Sequence, residues 1–152
     1  MENHIALPAF FLGTYTPRLD EKGRLFLPAK FRDRLASGVV VTRGQEKCLV
    51  VWPHDVFAAE AARVMSTPMG LRGSRDISRT FFSGAEQGTP DKQGRIVVPP
   101  LLRAYAGLTK DVAVIGVGDR VEIWDQAKWL EYDAETADKY AELDDAGFGT
   151  QA

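Results

Sequence analysis

This 152-residue chain predicts an α+β protein in which strands dominate and helices are short. Three features lead there. The chain aligns with itself: "DEKGRLFLPAKFRDRL" (20–35) lies over "DKQGRIVVPPLLRAYA" (91–106) with Asp, Gly, Arg, Pro and a later Arg in common. After a one-residue shift, "VVVTRG" (39–44) matches "DVAVIG" (111–116) and "CLVVW" (48–52) matches "RVEIW" (120–124). Within each copy, β-branched and aromatic runs are punctuated by turn residues, and a proline opens a short helical stretch.

The elements follow in order. Residues 1–13 are an extension, 14–56 a first unit, 57–84 a helical linker, 85–128 a second unit and 129–152 an acidic helix or tail. "FLGTYTP" reads as a strand, and "DEKG" as a type I turn with Asp20 first and Gly23 fourth, matched by Asp91 and Gly94. "RLFL" runs on as a second strand. Pro28 and Pro99 suit a first helical turn, where a missing N–H costs nothing. Phe31 and Leu35 then share one helical face, as do Leu101, Leu102 and Tyr105 in the second copy. Each unit ends in a hairpin turning at "RGQEK" or "GVGDR".

In the linker, Phe57, Ala61, Val64 and Met65 recur at helical spacing, which predicts a helix packed on the sheet. "STPMGLRGSR" breaks it. "DISRTFFSG" predicts a second helix, capped by Asp76, with Ile77, Phe81 and Phe82 on its apolar side. The stripe Trp129, Tyr132, Tyr140 and Leu143 predicts a terminal helix.

Composition narrows the function classes. No apolar run is long enough to cross a bilayer and the start lacks the pattern of a secretory signal, so a cytoplasmic location is expected. From Asp125 onward eight acids face two lysines, a net −6. Of 19 basic and 21 acidic residues, 17 and 13 then remain elsewhere, a net +4, so the total of −2 leaves room for an anionic partner. Cys48, the single cysteine, reads as a small buried hydrophobe in a strand. His4 lies in the extension and His54 at a helix start, and with one cysteine they form no metal-ligating pattern, so neither a metal nor another cofactor is expected.

The repeated Asp-x-x-Gly-Arg carries the sharpest chemistry. Asp20 and Asp91 can close the turn, while Gly23 and Gly94 supply positive φ, so the backbone is directed just before Arg24 and Arg95. Two roles suit those arginines: an ion pair that braces a hairpin, or a guanidinium held outward for a phosphate or a guanine edge. Arg32 and Arg103 recur on the short helix, facing solvent or the sheet.

The stretch from "FLGTYTPRLDEKGRLFLPAKFRDRL" to "DKQGRIVVPPLLRAYAGLTKDVAVIGVGDRVEIWDQAKW" resembles the MraZ family, over about residues 11 to 129. That family contains two tandem SpoVT-AbrB-type modules, each marked by Asp-x-x-x-Arg. The resemblance implies swapped-hairpin modules forming one pseudo-two-fold β-barrel. It also implies a nucleoid-associated, sequence-specific DNA-binding regulator, expected here to be a repressor, of the division and cell-wall gene cluster. Subunits would assemble into a homo-oligomeric ring that binds repeated promoter boxes in double-stranded DNA. Carried onto this chain, the resemblance implies that Arg24 and Arg95 bind DNA; by position, Lys22 and Lys92 at the turn tips and Arg18 just before the first turn are the expected phosphate contacts.

Two other classes remain. Asp20 and Asp91 could form a shared-proton dyad of a hydrolase, although the neighbouring cations favour ionised carboxylates. An oligomeric scaffold could use the acidic tail as a docking arm.

Overall fold

The computed structural model describes residues 10–144, so His4 and the ends of the extension and the acidic tail lie outside the described residues. The first unit contains β1 (Thr14–Tyr15), β2 (Arg24–Phe26), α1 (Ala29–Leu35), β3 (Val39–Arg43) and β4 (Leu49–Pro53), with a 3-10 turn at Gln45–Lys47. Two helices follow, α2 (His54–Met65) and α3 (Arg72–Ser83). The second unit repeats the order as β5 (Glu86–Gly88), β6 (Arg95–Val97), α4 (Pro100–Ala106), β7 (Val112–Gly116) and β8 (Val121–Asp125), and α5 (Gln126–Ala141) closes the described chain. The mixed α+β architecture read from the sequence is present, but strands do not dominate it and not all helices are short. Among the described residues α2, α3 and α5 run to 12, 12 and 16 residues while no strand exceeds five, because these helices lie over the sheet as a layer of their own.

One antiparallel sheet runs β1-β7-β8-β4-β3-β5, and β2 pairs with β6 in a separate ribbon. Exchanging each strand for its counterpart in the other unit returns the same order reversed. The first strand of each unit therefore pairs outside its own unit: Thr14 lies opposite Ile115, and Val40 opposite Gln87. The units also meet at the centre, where Leu49 faces Ile123 and Val51 faces Val121. This pairing leaves β1 and β5 as the two ends of an open order, so the six strands do not close on themselves as the expected barrel would.

Burial explains the composition of the strands. Val39, Val41, Leu49 and Val51 turn one face into the main core with Leu25, Phe31, Val98 and Leu102. The opposite face of β3 and β4 is covered by α2 and α3, and that of β7 and β8 by α5. Central strands covered on both sides read as continuous apolar runs rather than alternating ones. Phe11, inside the segment read as an extension, is 1% exposed and meets Phe31 edge to face at 5.2 Å.

The helices refine several expectations. Pro28 and Pro99 stand at the N-caps of α1 and α4, and Phe31 and Leu35 are buried. Their counterparts are Leu102 and Ala106, whereas Leu101 is 57% exposed and leaves the expected apolar face. In α2, Ala61 and Val64 are buried but Met65 points outward. The second linker helix starts at Arg72, so Asp76 lies inside it rather than capping it, and its carboxylate is 4.0 Å from Arg72 Nε. α3 is tied down at its other end: the buried Thr42 hydroxyl donates to the Phe81 carbonyl at 2.7 Å, and Arg43 Nη1 donates to the Thr80 carbonyl at 2.9 Å. The terminal helix forms, with Asp125 accepting the Lys128 N–H and Trp129 and Tyr132 packing on Trp124.

Candidate nucleic-acid interface

Both motif copies fold into the same set of bonds. In the first, Asp20 Oδ1 accepts the N–H groups of Lys22 (2.9 Å) and Arg24 (2.8 Å), and Oδ2 accepts Arg24 Nε at 2.7 Å. Gly23 N–H closes the turn onto the Asp20 carbonyl at 3.0 Å, with Gly23 at φ 79°. In the second, Asp91 holds Gln93 N, Arg95 N and Arg95 Nε at 2.9, 2.9 and 2.8 Å, and Gly94 takes φ 82°. An Asx cap, a closing i→i+3 bond and a glycine at positive φ form a three-residue hairpin loop. The two residues at each tip contribute only backbone, which is why Glu21-Lys22 and Lys92-Gln93 can differ.

Each arginine is braced and presented at once. Nε is committed to the aspartate, while the terminal Nη atoms of Arg24 and Arg95 engage no acceptor among the described residues. Their side chains keep 35% and 23% of their surface exposed. A guanidinium anchored through Nε and open at its fork has lost its rotamer freedom before any ligand arrives.

The ribbon then brings both arginines to one face. Arg24 lies opposite Val97, Leu25 opposite Ile96, and Phe26 opposite Arg95. Because side chains alternate, Leu25 and Ile96 enter the core while Arg24, Phe26, Arg95 and Val97 face outward. Phe26 and Val97 remain 47% and 59% exposed, and the Arg95 guanidinium carbon stands 5.7 Å from the Phe26 ring centroid. Lys22 and Lys92 are exposed on turns at opposite ends of the ribbon. Arg18 is also exposed, beside β7, where its Nε is 3.6 Å from Asp111 Oδ1.

Sequence reasoning missed two features. Phe26 and Val97 lie in the aligned strand runs of the two copies, where alternation next to Leu25 and Leu27 is the available signal for an outward aromatic. Arg32 and Arg103 each cross to the other unit's turn: a β-carbon on Gly94 would lie 2.5 Å from Arg32 Nε, and one on Gly23 would lie 3.0 Å from Arg103 Cζ. The turns are locked across units by backbone as well, since Leu27 N–H donates to the Gly94 carbonyl at 2.9 Å and Val98 N–H to the Gly23 carbonyl at 2.7 Å.

Asp20 and Asp91 sit on turns at opposite ends of the ribbon, each bonded to its own arginine rather than to the other, which is not the arrangement of a dyad. The Arg24 backbone N–H, aided by its side chain and the Lys22 N–H, holds the Asp20 carboxyl below its ordinary value, and the Arg95 and Gln93 groups do the same to Asp91. A shared proton requires one carboxyl to be pushed up. Cys48 is 2% exposed, and burial, with Glu122 and Glu46 nearby, pushes its thiol up and away from reactivity. No group of His, Cys, Asp and Glu among the described residues could hold a metal ion, and no described helix is long and apolar enough to cross a membrane.

A family model described as "MraZ protein, putative antitoxin-like" matches residues 10–75 and 81–149. A protein of Nocardioides sp. named transcriptional regulator MraZ is 64% identical over 135 residues, which is 89% of this chain and 94% of the relative. Proteins of the same name from Arthrobacter sp. and Kineococcus radiotolerans are each 54% identical, covering 90% and 87% of this chain and 96% and 92% of their own lengths. Matches of this identity across nearly the whole described chain, both motif copies included, show that the chain belongs to the MraZ family.

Proposed function

We propose that this chain regulates transcription by binding duplex DNA through the outer face of the β2–β6 ribbon. Its relatives are named transcriptional regulators. The observation that carries the reading is the pair of outward arginines, each anchored by Nε to its own aspartate with the Nη fork open. Arg24 and Arg95 meet phosphates or guanine edges, while Lys22, Lys92 and Arg18 neutralise the backbone. The two units act together as one swapped-hairpin body in the nucleoid, at repeated boxes upstream of division and cell-wall genes, as a repressor.

One ribbon is weakly basic, because each arginine faces an aspartate, and neutralising a few phosphates gives weak, salt-sensitive attachment. Several subunits on adjacent boxes multiply affinity by about 10² to 10⁴ through linkage alone, so a ring of copies belongs to the mechanism. Support for copy-to-copy contact comes from the outer helices. Around α3, Met69, Leu71 and Ile77 are exposed among Arg72, Arg75 and Arg79, while exposed Leu130 on α5 sits among Glu131, Asp133, Glu135 and Asp138. Opposite charge on two different surfaces fits a heterologous contact, the kind that closes rings.

The test is titration of the full chain against a duplex with direct repeats from its own upstream region and against a scrambled duplex, at two salt concentrations. Preference for repeats, a steep salt response, and loss of binding in Arg24→Ala with the oligomer intact are expected. Equal binding of both duplexes by Arg24→Ala and the parent protein would overturn the reading.

A further inference from the structure

We infer that Phe26 is a base-reading residue that packs against the C5-methyl group of a thymine in the major groove; this rests on the ribbon being the DNA-binding face. An aromatic ring at 47% exposure, beside Arg24 along its strand and opposite Arg95 across the ribbon, is an unusual expense of apolar area in water. Nothing in the fold requires it there, because the core beneath the ribbon is filled by Leu25, Leu27, Ile96 and Val98. The ring is nevertheless held in place, with the Arg95 guanidinium 5.7 Å from its centroid and in register across the ribbon.

The geometry of the face explains the ligand. Four outward side chains form a two-by-two grid in which Arg24 and Arg95 occupy one diagonal and Phe26 and Val97 the other. A two-stranded ribbon has the width that the major groove admits. Along β2, Arg24 and Phe26 are two residues apart, roughly 6.6 Å at about 3.3 Å per residue, which is close to two base-pair steps of about 3.4 Å. An arginine fork on a guanine edge therefore leaves Phe26 over a base about two steps away. In that groove thymine is the base that offers an apolar group, and a phenyl ring cannot accept or donate the hydrogen bonds that the other base edges present. The arginines then supply attachment and guanine preference, and Phe26 adds thymine preference at a fixed offset from the guanine.

The experiment replaces each thymine within the protected boxes of the repeat duplex, one at a time, by uracil, which removes the methyl group and leaves the pairing edge intact. Binding of the full chain is measured for the parent protein, Phe26→Ala and Phe26→Leu. At one thymine per box the parent is expected to lose about three- to five-fold in affinity for the missing methyl. Phe26→Ala should lose a similar factor on the thymine duplex and become indifferent to uracil at that position, while Phe26→Leu, still apolar, keeps part of the sensitivity. Uracil tolerated at every position by the parent overturns the inference, and so does a Phe26→Ala loss that simply multiplies with the uracil loss. A ring that instead wedges between bases or only steadies Arg95 gives that second pattern. Failure of the parent to bind the repeat duplex at all is a separate outcome, which removes the DNA-binding reading and this inference with it.

Discussion

Gly94, in the turn of the second unit, lies directly against Arg32 from the helix of the first: a β-carbon at Gly94 would stand 2.5 Å from Arg32 Nε and 2.8 Å from its Cδ. Gly94 also holds φ 82°. Gly94→Ala is expected to destabilise the protein by about 1–3 kcal/mol from the left-handed backbone, with a further cost for displacing Arg32, whose Nε donates to the Leu27 carbonyl at 3.0 Å. Denaturant unfolding of Gly94→Ala, Arg32→Ala and the double variant separates the two contributions. The double variant should lose less than the sum of the singles. Strict additivity would show that the contact carries no energy.

Acid should weaken the fold through the paired turns. Asp20 and Asp91 have carboxyls held below their ordinary values, first by the backbone N–H groups of Arg24 and Arg95, and Asp55 and Glu60 are lowered by Arg34 and Arg63. A depressed folded-state pKa stabilises the protein above the unfolded value, about 4 for these groups, and that stability is lost as pH falls through the folded value. Unfolding midpoints should therefore fall below about pH 4, and fall less in Asp20→Asn/Asp91→Asn than in the parent. An equal acid response in both would assign it to Asp55, Glu60 or other groups.

Lysine and arginine should have separable effects on DNA. Lys22→Gln and Lys92→Gln at the exposed turn tips should weaken repeat and scrambled duplexes alike, each lowering the slope of log K against log salt by about 1 per subunit bound. Arg24→Lys keeps the charge and loses the fork, so its salt slope should stay near that of the parent while preference for the repeats drops about ten-fold or more. Anisotropy titrations across a salt series distinguish the two patterns.

Cys48 should stay silent until the sheet opens. It is 2% exposed and its thiol is pushed up by burial and by Glu122 and Glu46, so a maleimide should label the native protein on the order of 10²-fold more slowly than the unfolded chain. Labelling of the native protein at the unfolded rate would place the thiol outside the core.

Local chemistry was readable from the chain. Asp20-to-Gly23 and Asp91-to-Gly94 each fold through bonds that span five residues or fewer, so residue types and spacing were enough to specify the turn and the arginine that follows it. The apolar runs of β3, β4 and β7 announced buried strands, and the spacing in "HDVFAAEAARVM" announced α2, for the same reason. Long-range partners were not readable. The strand Glu86–Gly88 is exposed throughout and has no apolar alternation, so only its pairing with β3 makes it a strand. The order β1-β7-β8-β4-β3-β5, the passage of Arg32 to Gly94 and Arg103 to Gly23, and the outward grid of Arg24, Phe26, Arg95 and Val97 came from how two similar units bury one shared core. A hydrogen-bonded turn depends on its own few residues, whereas strand exchange depends on contacts far apart in sequence, and those exist only once the whole chain has packed.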